Sequence, residues 1–109
     1  MPQTYKLLGQ VNPTANTPAN VYSVPASTEG IVNSIIISNL SSSNASFSLT
    51  VRPTSEALAD KHFIVRACVI PASDTLTMTL SLTMQANAVL AANTNSSNLS
   101  ISAHGVEIS

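Results

Sequence analysis

Tryptophan is absent from the 109 residues, cysteine occurs once, glycine three times, and only nine side chains carry a formal charge. Each scarcity removes a class of explanation. The single thiol, Cys68, can form no disulfide within the chain and can supply no cysteine metal cluster, so packing alone has to hold the fold. Four Lys and Arg against five Asp and Glu leave a net charge of −1, which gives a phosphate backbone no basic footprint to bind, and nucleic acid is not an expected partner. No apolar run approaches the ~18 residues that mark a membrane-spanning helix, and residues 1–6 lack the apolar core of a leader. The expectation is a chain made in a reducing cytoplasm, with no membrane partner.

Small uncharged polar residues replace the missing charge. There are 17 serines, 11 threonines and 10 asparagines, types that cover strand faces and turns without creating a field. A molecule with so little net charge repels its own copies weakly, which favours association. The length suits one hydrophobic core and is too short for two.

Apolar residues recur with period two, the signature of strands with one buried face. Leu76, Met78, Leu80, Leu82 and Met84 alternate with Thr75, Thr77, Thr79, Ser81 and Thr83, and Ala45, Phe47, Leu49 and Val51 alternate with Ser46, Ser48, Thr50 and Arg52. Residues 30–40 read as a strand apolar on both sides, Val32, Ile36 and Leu40 on one and Ile35 and Ile37 on the other, so both faces call for cover. Residues 61–70 place Phe63, Val65, Ala67 and Val69 on one face and His62, Ile64, Arg66 and Cys68 on the other, a mixed face suited to contact. Residues 5–9, 20–24, 88–92 and 98–108 complete about eight strands. In the last, Val106 and Ile108 fall out of step with Leu99, Ile101 and Ala103, which predicts a bulge at His104-Gly105 with the glycine in left-handed geometry.

Pro-, Ser- and Asn-rich turn clusters separate these segments at the spacing of a sandwich or barrel. Residues 54–60 read as one helical turn, capped by Thr54 or Ser55, crossing from one sheet to the other. The reading is all-β: a single β-sandwich, jelly-roll or immunoglobulin-like, over residues 21–109. Residues 1–20 are expected to supply an N-terminal strand and a Pro/Asn/Thr-rich arm that orders against a partner.

Chemistry is sparse. The carboxylates Glu29, Glu56, Asp60, Asp74 and Glu107 form no close pair for general acid–base work. Asp60-Lys61-His62 could be drawn as part of a triad, but among 17 serines the drawing has no specificity, and a solvated strand entry is the simpler reading. His62 and Cys68 stand six residues apart, about 20 Å along a strand, too far for a dyad. His62 and His104 lack metal-ligand spacing. Four Asn-x-Ser sequons, starting at Asn39, Asn44, Asn95 and Asn98, are expected by chance at this composition. Glycan stacking calls for exposed aromatics, whereas Tyr5, Tyr22, Phe47 and Phe63 mostly occupy core-phase positions. No catalytic, cofactor or metal residues are assigned.

The order of segments carries a resemblance. Leu8-Gly9-Gln10 leads into a Pro/Asn/Thr loop, then Val21-Tyr22-Ser23-Val24-Pro25, a Val/Ile strand ending in Ser38-Asn39-Leu40-Ser41, and Phe47 through Val51-Arg52-Pro53. Lys61-His62-Phe63-Ile64, Ile70-Pro71-Ala72-Ser73-Asp74 and Leu99-Ser100-Ile101-Ser102-Ala103-His104-Gly105 follow. In style and segment order this resembles the short β-rich virion structural proteins of tailed bacteriophages, over nearly the whole chain and with no catalytic motif to carry over. The resemblance implies a non-enzymatic virion component assembled in the host cytoplasm: a capsid decoration protein or a neck, tail or baseplate piece. Its partners would be copies of itself and other virion proteins. A host-recognition module that touches glycans or a receptor is the alternative. Ile35, Ile37, Ile64, Arg66 and Cys68 are the residues expected under a partner.

Overall fold

The computed structural model describes residues 3–53, 56, 57 and 59–108, with side chains from residue 6 onward. Eight strands carry most of them: β1 (Gln3–Val11), β2 (Ala19–Ser23), β3 (Glu29–Asn39), β4 (Ala45–Pro53), β5 (Phe63–Ile70), β6 (Thr75–Met84), β7 (Ala88–Thr94) and β8 (Leu99–Ile108). They form two antiparallel four-stranded sheets, ordered β1-β8-β3-β6 and β2-β7-β4-β5. The first and last strands pair, as do the second and seventh, the third and sixth, and the fourth and fifth. Every connection except β4–β5 passes from one sheet to the other.

The period-two pattern becomes a two-sided core. Val32, Ile35, Ile37, Leu99, Ile101 and Ala103 of the first sheet, and Phe47, Leu49, Leu90 and Ala92 of the second, are almost completely removed from solvent. Apolar burial of this kind, at roughly 25 cal/mol per Å2, is the main stabilising term in a chain with no disulfide.

Three expectations from the sequence are corrected by the strand register and the strand order. Strand β3 is less apolar on its second face than expected: Ile31 and Ile36 stay half-buried on the outer side, but Val32 leaves it. Val32 and Ser34 face successive β8 residues, Gly105 and His104, so Asn33 is an extra residue that brings Val32 onto the same side as Ile35 and Ile37. The bulge expected at His104-Gly105 lies instead in the neighbours of β8, at Asn33 on one side and at Leu8 of β1 on the other. No glycine among the described residues has positive φ. Gly105 is needed for close approach: an added Cβ would fall well inside van der Waals contact with the Ile31 carbonyl oxygen and 3.0 Å from Val32 Cα. Residues 54–60 do not cross between sheets, because β4 and β5 are neighbours in one sheet. The expected caps Thr54 and Ser55 lie outside the described residues, and the helical piece present is a 3-10 turn at Asp60–His62.

Residues expected to form an arm are tied into the body. Strand β1 pairs with β8 along its length, Pro13 is buried, Asn12 Nδ2 donates to the carbonyls of Ser97 and Leu99, and Asn16 N–H donates to Thr94 O. At the same end of the sandwich the buried Asn39 acts as a hub. Its amide donates to the carbonyls of Ser43, Ile70 and Pro71, and its Oδ1 accepts from Ser41 N–H and Oγ–H. This one side chain satisfies backbone groups of two loops that would otherwise be buried without partners. In the sequence Asn39 registers only as the start of a chance sequon.

Candidate functional site

The sequence singled out one strand as a contact surface, and β5 is the strand the structure treats most irregularly. Phe47 faces Cys68, Leu49 faces Val65 and Thr50 faces Phe63, so extra residues sit at Ile64 and at Arg66-Ala67. Ala67 takes φ 52°, and its N–H donates to Ser48 Oγ at 2.9 Å. An Ala in the left-handed region costs about 1–2 kcal/mol, and the Ser48 bond offsets part of it. Each bulge inverts the alternation that follows.

The predicted contact residues are therefore split three ways. Ile35 and Ile37 are fully buried in the chain's own core. Cys68 turns inward beside Phe47 and packs against the core, because the Arg66-Ala67 bulge removes it from the face of Ile64 and Arg66. Ile64 and Arg66 remain on the outside, joined by Val69, which is 60% exposed although its sequence phase assigned it to the core.

Phe63 is a further residue whose phase the sequence misread. Opposite Thr50, it lies half-buried on the outer face, with the Arg66 guanidinium 4.9 Å from its ring centroid. Together with Ser48, Thr50, Ala91 and Asn93 the pair lines a hollow of about 230 Å3 in the outer face of the second sheet. Only the pairing register, not the period-two pattern, reveals it. The hollow falls below the roughly 300 Å3 at which small-molecule pockets begin.

The titratable groups are spent on structure. Asp60 pairs with Arg66 at 3.5 Å rather than with His62. The buried His62 accepts the Ala59 N–H at Nδ1, 2.9 Å away, which leaves Nε2–H to donate to Glu56 Oε1 at 3.3 Å. Lys61 and His62 hold the exposed Glu56 carboxyl below its usual range. His104 meets Ser102 Oγ. Among the described residues no three His, Cys, Asp or Glu side chains gather as metal ligands.

At the end of the sandwich away from Asn39, Lys6 Nζ and the Tyr22 hydroxyl each lie 2.6 Å from a Glu107 carboxylate oxygen, joining β1, β2 and β8. Lys6 and then Tyr22 hold the Glu107 carboxyl below its ordinary value of 4.5. Burial first, then Glu107, pushes the Tyr22 hydroxyl well above its ordinary 10.0. A depressed carboxyl stabilises the fold above its unfolded value, and that contribution is lost as pH falls through the folded one. Urea midpoints measured between about pH 3 and about pH 7 should fall toward acid less steeply in Glu107→Gln than in the parent chain. The raised hydroxyl has the opposite sense: its contribution is complete below pH 10.0 and is lost in stronger alkali.

No protein-family model matches the chain, and no curated protein matches it. Solved structures do match, among them two crystal structures of a pentameric capsid protein isolated from metagenomic phage sequences. They align with 95% of this chain at 15% and 17% identity, with TM-scores of 0.34 and 0.31. The chain spans 67% and 62% of their lengths, about two thirds.

Proposed function

We propose that the chain is a structural component of a tailed-phage virion, a capsid decoration or neck and tail accessory protein built as a jelly roll and working through protein contacts. The observation that carries this reading is the nested pairing of strands one with eight, two with seven, three with six and four with five. Two four-stranded sheets in this order support a double Greek-key jelly roll, an architecture shared by viral capsid proteins, lectins and cupins. An immunoglobulin arrangement would pair consecutive early strands within one sheet. The uncharged hydroxyl surface and the use of His62, Glu56, Asp60 and Glu107 in structural pairs favour the capsid-like member of that set over an enzyme. Ile64, Arg66 and Val69 on the outside of β5 are the contact surface that fits a neighbouring virion protein.

The Phe63–Arg66 hollow favours a second reading, host recognition through a glycan-binding face. An aromatic ring beside a cation and several hydroxyls suits a sugar carrying a carboxylate. One set of preparations tests both. Virions of the phage encoding the chain, banded on a density gradient, should contain it at a fixed copy number and show its density in a near-atomic map. Absence from the particles sinks the first reading. A glycan-array hit by the purified chain would move the conclusion to the second.

A further inference from the structure

We infer that two copies of this chain join through β6, edge to edge and antiparallel about a two-fold axis at Thr79, making one continuous eight-stranded sheet. The inference deepens the assembly reading above by naming the surface and the partner, and it rests on that reading only for the expectation that copies meet.

A two-sheet sandwich has four edge strands, and an unprotected edge is a template for pairing. Three of the four are protected. On one side of the molecule β1 and β2 close on each other: Gly9 lies so near the Val21 backbone that a Cβ there would clash with it. Strand β2 is only five residues long. Strand β5 carries two bulges and the Arg66 charge, both devices that blunt an edge. Strand β6 gains one residue on β3 at Leu80-Ser81, opposite Asn33, but carries none of the other devices. Its ten residues, Thr75–Met84, include no charge, proline or glycine, and its alternation of exposed and partly buried side chains runs unbroken from Thr75 to Thr83.

The core is also open along this edge. The inward residues of β3 and β8 are sealed, yet Leu76, Met78, Leu80 and Leu82, on the inner side of β6, remain only partly buried. Four aliphatic side chains in a row at the rim of the sandwich lose a share of the burial that their positions could provide.

The occupant is indicated by the strand itself. Centred on Thr79, an antiparallel pairing sets Met78 against Leu80, Thr77 against Ser81, Leu76 against Leu82 and Thr75 against Thr83. Aliphatic meets aliphatic on the inside, and hydroxyl meets hydroxyl on the outside, the cross-strand pairs that stabilise a sheet. No charge on either strand opposes the approach, and the whole chain carries only −1. Ten residues run about 33 Å. With a smallest molecular extent of 19 Å, the wall amounts to roughly 600 Å2 per copy, and the two walls together exceed the ~1,000 Å2 expected of a specific interface. An isologous contact of this kind closes on itself and leaves no further β6 edge exposed.

Residues directly opposite in an antiparallel pair have Cα atoms about 4.5–5.5 Å apart, within disulfide range. In a Cys68→Ala background, Thr79→Cys should therefore oxidise to a covalent dimer, whereas Thr77→Cys, whose opposite number is Ser81, should not. Thr77→Cys combined with Ser81→Cys should restore the link. Thr79→Lys, an exposed substitution that leaves folding unchanged by circular dichroism, should reduce the sedimentation mass from about twice 11.3 kDa to that of one chain. Equal cross-linking at positions 77 and 79 would mean random collision and would overturn the inference. Oligomers that form without a Thr79 link would overturn this interface while leaving self-assembly intact. A chain that stays monomeric in solution yet enters virions would overturn the dimer and leave the virion reading standing.

Discussion

Phe47→Ala is expected to lower the unfolding free energy by about 3–5 kcal/mol, the cost of removing a large aromatic from a sealed core and leaving a cavity. Phe47 is 1% exposed and stands mid-sheet on β4, opposite Thr94 of β7 on one side and Cys68 of β5 on the other. A domain of this size has only about 5–15 kcal/mol of stability to lose, so the variant should unfold at far lower urea. Far-UV circular dichroism is the suitable probe, because the chain has no tryptophan. Phe63→Ala supplies the contrast. Its ring is half-buried on the outer face, and the substitution should cost less than about 1.5 kcal/mol. Equal losses in the two variants would contradict the bulge at Ile64 that places Phe63 outside.

Gly105→Ala should be as damaging as the loss of Phe47, although it adds only one methyl group. The new Cβ would press on the backbone of Ile31 and Val32, which no change of rotamer can relieve, so β3 and β8 would have to separate. Overpacking costs about 1–3 kcal/mol when side chains can yield, and a rigid backbone obstacle should bring the loss to about 3 kcal/mol or more. Gly30 provides the internal comparison. An added Cβ there would meet the Tyr22 ring and hydroxyl at 3.0–3.1 Å, a side-chain contact relieved by a few tenths of an ångström, and Gly30→Ala should lose less than half as much in the same denaturation experiment. A Gly105→Ala chain with a parental midpoint would show that the β3–β8 approach is looser than described.

The two phenylalanines also show how far the sequence could be read. Where alternation is regular, as in β4 and β6, it located the strands to within a residue or two and gave the buried face correctly. It failed in β3 and β5, where an extra residue enters the ladder and a one-residue slip sends later side chains to the opposite face. The irregularity at Asn33 brought Val32 onto the side of Ile35 and Ile37, and all three, two of them expected at an interface, lie in the core. The two irregularities in β5 exchanged Phe63, Cys68 and Val69 between inside and outside. No local signal marks these sites: Ala67 has positive φ without being Gly or Asn, and it is held there by Ser48 on another strand. Asn39 was illegible for a related reason, since its bonds to the Ile70 and Pro71 carbonyls depend on a loop that reaches it only after folding.

The nested order of strands has a kinetic meaning. If β1 and β8 met directly, joining Gln3 to Ile108 would close nearly the whole chain in one step. The hairpin of β4 and β5 needs only the short segment between them, and once it forms it carries β3 and β6 toward each other, then β2 and β7, then the outermost pair. Each stage closes little more than the connections newly enclosed, so the entropy of loop closure is spread over several small steps. A topology that looks non-local on paper can thus be zipped from its middle outward.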